Sequence, residues 1–250
     1  MNYPWNWAVF LQPSADGNGT YLDTLISGFG WTVGVALCAW ALALLLGVCV
    51  GVARTLPGAG LRRVAVLWVD VFRNVPLLVQ IFVWYFVVPE LLPNAWGAAI
   101  KQVPPPWGAF FPATLGLALF TSARVAEQVR AGLESLPRGQ RQAAIAMGMT
   151  LQQAYRHVLL PVALRIVIPP LTSEFLNTIK NSSVALTVGL IEVTAAARAI
   201  QEYSFQVFEA FTAATIIYVT LNLLVVRLMR LLELRLAVPG FGGQAASRRT

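Results

Sequence analysis

Residues 25–53, LISGFGWTVGVALCAWALALLLGVCVGVA, run for 29 positions without a Lys, Arg, Asp or Glu. A helix rises about 1.5 Å per residue, so roughly 20 such residues cross a hydrocarbon core. The run predicts a membrane-spanning helix, and the rest of the chain agrees with it. Hydrophobic residues make up 57% of the sequence and charged ones 12%, with a mean hydropathy of +0.66, where soluble domains carry about 25% charged residues. The opening MNYPWNWAVF has no basic leader, and the apolar run exceeds the roughly 7 to 15 residues of a signal-peptide core. The first span is therefore expected to remain in the mature protein.

Working outward, residues 64–92, 111–129, 164–190 and 208–231 are each long and apolar enough to span. Five spans and no alternating strand pattern predict an all-α integral membrane protein, because backbone groups facing lipid must be satisfied within helices. The expected divisions are an N-terminal segment 1–24, a transmembrane domain 25–236 and a tail 237–250. Small residues (Gly, Ala, Ser, Thr) would allow the helices to pack closely. Thirteen of the 18 basic residues fall in three connections: Arg54, Arg62 and Arg63; Arg130, Arg138, Arg141, Arg156 and Arg165; and Arg227, Arg230, Arg235, Arg248 and Arg249. The opposite connections hold Lys101 and Arg198. The positive-inside rule then places the N-terminus outside and the C-terminus in the cytoplasm, as a multi-pass membrane protein. This topology accounts for the net charge of +7, and no basic stripe on a soluble domain offers nucleic acid a surface. Trp5, Trp7, Trp96 and Trp107 suit the headgroup belt. Cys38 and Cys49 lie on one helix and read as packing residues; no Cys or His cluster offers metal ligands.

Three basic residues sit inside the predicted spans: Arg73, Arg124 and Lys180. Each would cost about 2.5 to 3.5 kcal/mol at a helix centre, so each should face an interior, an aqueous path or an interface. Glu127 lies one turn from Arg124, which allows an internal ion pair. Pro76 in the segment Arg73–Pro76 removes a backbone donor, and Lys180 opens the polar step KNSS with Asn181, Ser182 and Ser183.

Residues 138–161, RGQRQAAIAMGMTLQQAYRHVLLP, form a polar, helix-prone insert between apolar stretches. Gly148 interrupts the first helix, and Thr150 with Gln153 makes the T-x-x-Q capping box that starts a second, before Pro161 opens the next span. Two short helices with a bend, exposed at the membrane face, suit docking to a groove of another protein. His157 reads as an interface residue, and neither a phosphate-binding loop nor a catalytic set is present.

Gln142-Ala143-Ala144, Gly148 and Val158-Leu159-Leu160-Pro161 resemble the EAA loop (EAA, three residues, G, nine residues, I-x-L-P) of the membrane subunits of bacterial ABC importers. The resemblance implies the type I importer permease fold with its coupling loop at about 131–163. It also implies a non-catalytic transport subunit whose loop seats in a partner ATPase. Gln142 stands where the pattern has Glu and Val158 where it has Ile, which removes any ion pair of that Glu. FRNVPLLVQ (72–80), ARVAEQVRAGLESLPRGQ (123–140) and IKNSSVALTVGLIEV (179–193) are similar to the polar amino acid permeases. NWAVFLQ, WYFVVPELLP and PPLTSEFLNTIKNSS resemble a permease of the glutamate/aspartate importers.

The resemblance further implies a second permease subunit, sister or identical, two ATPase subunits that bind ATP and Mg²⁺, a periplasmic solute-binding protein, and no cofactor in this chain. An acidic amino acid needs donors for two carboxylates and an acceptor for one ammonium. On that account Arg124 with Glu127 are the first candidates to line the substrate path, joined by Arg73, Lys180, Asn181, Ser182 and Ser183. Alternatives are a permease for glutamine or a basic amino acid, an ion-coupled secondary transporter, which would often show inverted repeats, and a purely structural subunit.

Overall fold

The computed structural model describes residues 3–15, 17 and 19–236. After a 3-10 turn at Trp7–Leu11, its helices are α1 (Tyr21–Thr55), α2 (Ala59–Asn74), α3 (Leu77–Leu91), α4 (Asn94–Lys101), α5 (Trp107–Glu134), α6 (Arg138–Ala146), α7 (Leu151–Ile166), α8 (Ile168–Val188), α9 (Val193–Ser204) and α10 (Val207–Leu236). The one β feature among the described residues is an isolated bridge between Pro13 and Thr20. The all-α expectation therefore stands. The tail 237–250, with Arg248 and Arg249, lies outside the described residues, as does the side chain of Arg138.

Helices α1, α5 and α10 are each long and apolar enough to cross a membrane. The number rises to five if two bent pairs each count as one span. The five expected spans are accommodated in that count, with two of them bent. The stretch 64–92 turns through 104° between α2 and α3, and the stretch 164–190 bends by 61° between α7 and α8. Prolines explain both breaks. Pro76 cannot donate to the ladder of α2 and disfavours a helical Val75 before it. Pro169 and Pro170 cannot continue α7, but they fit the first turn of α8, where their missing N–H groups would have had no partner.

Pro161 does not open a span as expected: it lies within the continuous stretch of α7. Each proline inside α3 and α7 is preceded by one π-helical turn, Val83–Val87 before Pro89 and Tyr155–Leu159 before Pro161. A proline ring clashes with the carbonyl four residues back, and the wider π turn relieves that clash while keeping the helix continuous.

The chain divides into two compact units. Among the described residues, the first comprises those within 3–41, 75–120 and 177–224, and the second comprises 42–74, 121–176 and 225–236. In the first, Val35 and Ala39 of α1, Ile81 of α3, Phe110, Ala113 and Leu117 of α5, and Ala185 and Val188 of α8 share one core. A second core joins Val9, Tyr21 and Leu25 to Ala196, Ala197 and Ile200 of α9 and Ala210 and Ala214 of α10.

In the second unit, α1 meets α5 through Gly47 and Gly51. A Cβ on Gly47 would fall 2.6 Å from Val125, and one on Gly51 would fall 2.8 Å from the Ala126 carbonyl. Lipid is as apolar as leucine, so helices gain most where small residues let backbones approach. Cys38 and Cys49 correct another expectation. Both are exposed on the chain, on the outward side of α1, and do not serve as packing residues within it.

Candidate functional site

The loop 131–163 carries the site that local sequence determines most fully, and it lies wholly in the second unit. Helix α6 closes on Gly148, whose φ of +85° is a left-handed conformation that glycine adopts without penalty. The Gly148 N–H donates to the Ile145 carbonyl at 2.9 Å and the Met149 N–H to the Ala144 carbonyl at 3.2 Å. This pair of bonds is a Schellman motif, which satisfies carbonyls that the end of α6 would leave open. One residue later the capping box forms as its sequence predicts. The Gln153 side chain accepts from the Thr150 N–H at 2.8 Å, and the Thr150 hydroxyl accepts from the Gln153 N–H at 3.3 Å.

The bend is tied to the end of α1 by Tyr155, a buried ring whose hydroxyl donates to the Thr55 carbonyl at 3.1 Å. Ala144 and Ala154 are buried beneath the bend. Gln142 and Ala143 are exposed, while Leu160 and Pro161 are half-buried. The outward face is led by Met147, 71% exposed, and Ile145, 48% exposed. Ala144 is thus a packing residue of the loop. The apolar contact surface is offered by Ala143, Ile145 and Met147, the last two of which sequence reasoning did not single out.

The interior charges pair differently from the expected Arg124 to Glu127 bond. Glu127 is engaged by Arg54 of α1, by Arg130 at 3.0 and 3.1 Å, and at longer range by Arg73 of α2 at 3.9 Å. Arg124 instead faces Glu174 of α8 at 3.8 Å. Adjacency on one helix allowed the first pairing, but Arg54, whose side chain is only 14% exposed, needs a counter-charge more than the half-exposed Arg124 does. A buried charge without a partner is the costlier arrangement. Arg130 also bonds Glu134 at 2.5 Å.

Lys180 lies in the first unit and is exposed on α8. The Ser182 and Ser183 hydroxyls both donate to carbonyls of their own helix at 2.7 Å, Ser182 being buried, and Asn181 is half-buried.

Two buried carboxylates of the first unit escaped the sequence reading. Glu192 is fully buried as the N-cap of α9, accepting from the N–H groups of Thr194 and Ala195 at 2.9 Å and from the Tyr218 hydroxyl at 2.8 Å. Burial pushes its carboxyl above the usual range, with those hydrogen bonds acting against the shift. Glu209, at the start of α10, accepts from the Tyr3 hydroxyl at 2.7 Å and the Asn6 N–H at 2.6 Å, strapping the N-terminal segment down. That hydrogen bond to Glu209 raises the Tyr3 phenol above its ordinary value. The available signal for Glu192 was a carboxylate directly before the helix-forming run VTAAA, a position suited to capping.

Comparison with known proteins fits this geometry. The family described as "Binding-protein-dependent transport system inner membrane component" matches residues 42–238. The glutamate/aspartate import permease protein GltJ of Escherichia coli (strain K12) is 48% identical over 246 residues, which cover 98% of this chain and 100% of that protein. The glutamine transport system permease protein GlnP of the same strain is 28% identical over 87% of this chain and 94% of its own length. The crystal structure of an amino acid ABC transporter with histidines superposes with a TM-score of 0.71 at 30% identity, covering 86% of this chain and 95% of that one. The inward-facing MetNI methionine ABC transporter shares the fold, with a TM-score of 0.71 at 23% identity over 87% of this chain and 98% of that one.

Proposed function

This chain belongs to the inner membrane components of binding-protein-dependent transport systems, as an amino acid permease subunit of an ABC importer, and on that premise we propose that its cargo is glutamate and aspartate. The observation that carries the cargo is the 48% identity with a glutamate/aspartate permease across nearly the whole chain. The cationic interior supports it. Arg73 and Arg124, with side chains 59% and 42% exposed, present guanidinium donors of the kind a dicarboxylate requires when it leaves water. Glu127 is no longer the acceptor for the substrate ammonium in this reading, because guanidiniums already occupy it; Glu174 orients Arg124 instead.

The N-terminal segment 1–24 lies in the periplasm and the tail 237–250 in the cytoplasm of a bacterial inner membrane. The bend at Gly148 is the coupling element for two ATPase subunits, which hold ATP and Mg²⁺. A periplasmic solute-binding protein delivers the amino acid, a second permease subunit completes the path, and the bundle alternates its opening as the ATPases close. The Schellman motif followed by the capping box makes the bend stiff, and a stiff bend passes on a push that a loose loop would absorb.

The test is uptake by the assembled transporter in proteoliposomes. Radiolabelled glutamate should enter only with internal ATP, should be insensitive to dissipated ion gradients, and should be displaced by aspartate and not by glutamine. Displacement by glutamine alone would assign the cargo of the second relative instead. Uptake that follows an ion gradient without ATP would end the coupling reading, and Arg124→Met with unchanged glutamate uptake would remove that residue from the path.

A further inference from the structure

One polar cleft in the second unit lies beside the coupling bend. It has a volume of about 530 Å³ and lies between the end of α1, the start of α2, the end of α5 and the bend helices α6 and α7. Three guanidiniums line it from three separate elements, Arg54, Arg62 and Arg141, against one carboxylate, Glu134. That carboxylate is already bonded to Arg130 at 2.5 Å. Among the described residues the side chains of Arg62 and Arg141 have no ion pair, and the buried Nε of Arg54 has no acceptor. Leucines, among them Leu56 and Leu136, form the rest of the wall. Arg54 is neutralised by Glu127, but the unopposed guanidiniums of Arg62 and Arg141 beside an apolar wall match the two halves of an amphiphile. Guanidinium forks bind phosphate oxygens well, and basic pockets between membrane helices take lipid headgroups.

We propose that this cleft binds a phosphate-type anion, supplied by the headgroup of an anionic phospholipid. Arg62 and Arg141 grip the phosphate, and the leucines meet the glycerol and the first methylenes. The carbonyl ends of α1 and α5 oppose an anion here, which is why several arginines are required to hold one. The site goes beyond the transport role: it depends neither on the cargo nor on which face of the membrane is cytoplasmic.

Native mass spectrometry of the assembled transporter, released from bilayers of equal phosphatidylglycerol and phosphatidylethanolamine, tests it. Wild type should retain phosphatidylglycerol over phosphatidylethanolamine by roughly thirtyfold, as two surface arginines predict. The R62Q/R141Q variant should lose the preference, and R62K/R141K, which keeps both charges, should hold most of it. If inorganic phosphate strips phosphatidylglycerol from the wild type and sodium chloride of equal ionic strength does not, the site also accepts the free anion. Equal retention of the two lipids by the wild type overturns the proposal, as does a preference that survives R62Q/R141Q. A preference seen only after the ATPase subunits are removed also overturns it, because the arginines then belong to that protein interface. Should the glutamine variant fail to assemble, the wild type and lysine pair still decide the matter. Uptake of a different amino acid with lipid preference intact would break the cargo reading alone.

Discussion

The bend between α6 and α7 and the carboxylate of Glu127 belong to the same unit and are held in opposite ways. Four bonds confined to Ala144–Gln153 fix the bend. Glu127 is held by guanidiniums from α1, α2 and its own helix, and its partner Arg54 lies 73 positions away in sequence. The difference teaches where each can fail. The bend's own hydrogen bonds can form within those ten residues, whereas the Glu127 cluster exists only once α1, α2 and α5 have come together. If the bend is the coupling element proposed above, being stiff by itself suits it to pass on a push. A part that places charges in a membrane interior needs the whole unit to keep them neutralised.

The largest expected effect on stability comes from the non-local site. Glu127→Gln leaves Arg54 in place with its counter-charge gone, and the expected loss is about 2 to 3 kcal/mol, read from unfolding of the purified subunit in mixed micelles. Pairing it with Arg54→Met sharpens the point, because the double variant should recover part of the loss by removing the stranded cation. Additive losses would mean that the two side chains do not act as a pair. Next comes Gly148→Val, which forces a β-branched residue to φ +85°. That change should cost about 1 to 2 kcal/mol and reduce uptake, since the bend must shift to relieve it. Smaller again is Thr150→Ala, which removes one half of the capping box for about 1 kcal/mol while Gly148 still turns the chain. A loss under Thr150→Ala as great as under Glu127→Gln would erase the contrast between local and assembled support.

The same contrast explains what could be read from the residues. Gly148 and the Thr150 to Gln153 spacing predict their own geometry because every atom involved lies within a few residues. The apolar runs predict spans because burial in lipid is compositional. The bends within two of those runs were legible in principle at Pro76 and at Pro169–Pro170, but a window average of hydropathy does not register direction. The ion pairs were not legible. Helical adjacency favours Arg124 with Glu127, and nothing local shows that Arg54 will arrive from another helix with a stronger claim. Glu209 stayed hidden for the same reason, since its partners Tyr3 and Asn6 come from a distant segment, and of the Glu192 partners only the local N–H groups, not Tyr218, could be read.

Met147→Glu carries the smallest expected effect on stability and the most direct bearing on coupling. Met147 is 71% exposed and its side chain is not used by the Schellman bonds, so its replacement should move stability by no more than about 0.5 kcal/mol. Yet it sits with Ile145 on the outward face of the bend, where an apolar contact with an ATPase subunit would be buried on docking. A carboxylate there would have to be desolvated without a partner. ATP-driven uptake should therefore fall to background while the subunit folds and inserts normally, and copurification of the ATPase should drop with it. Ala144→Glu, by contrast, should unfold the loop, because that residue is buried beneath the bend. Full uptake with Met147→Glu would show that the exposed face of the bend is not the surface the ATPase meets.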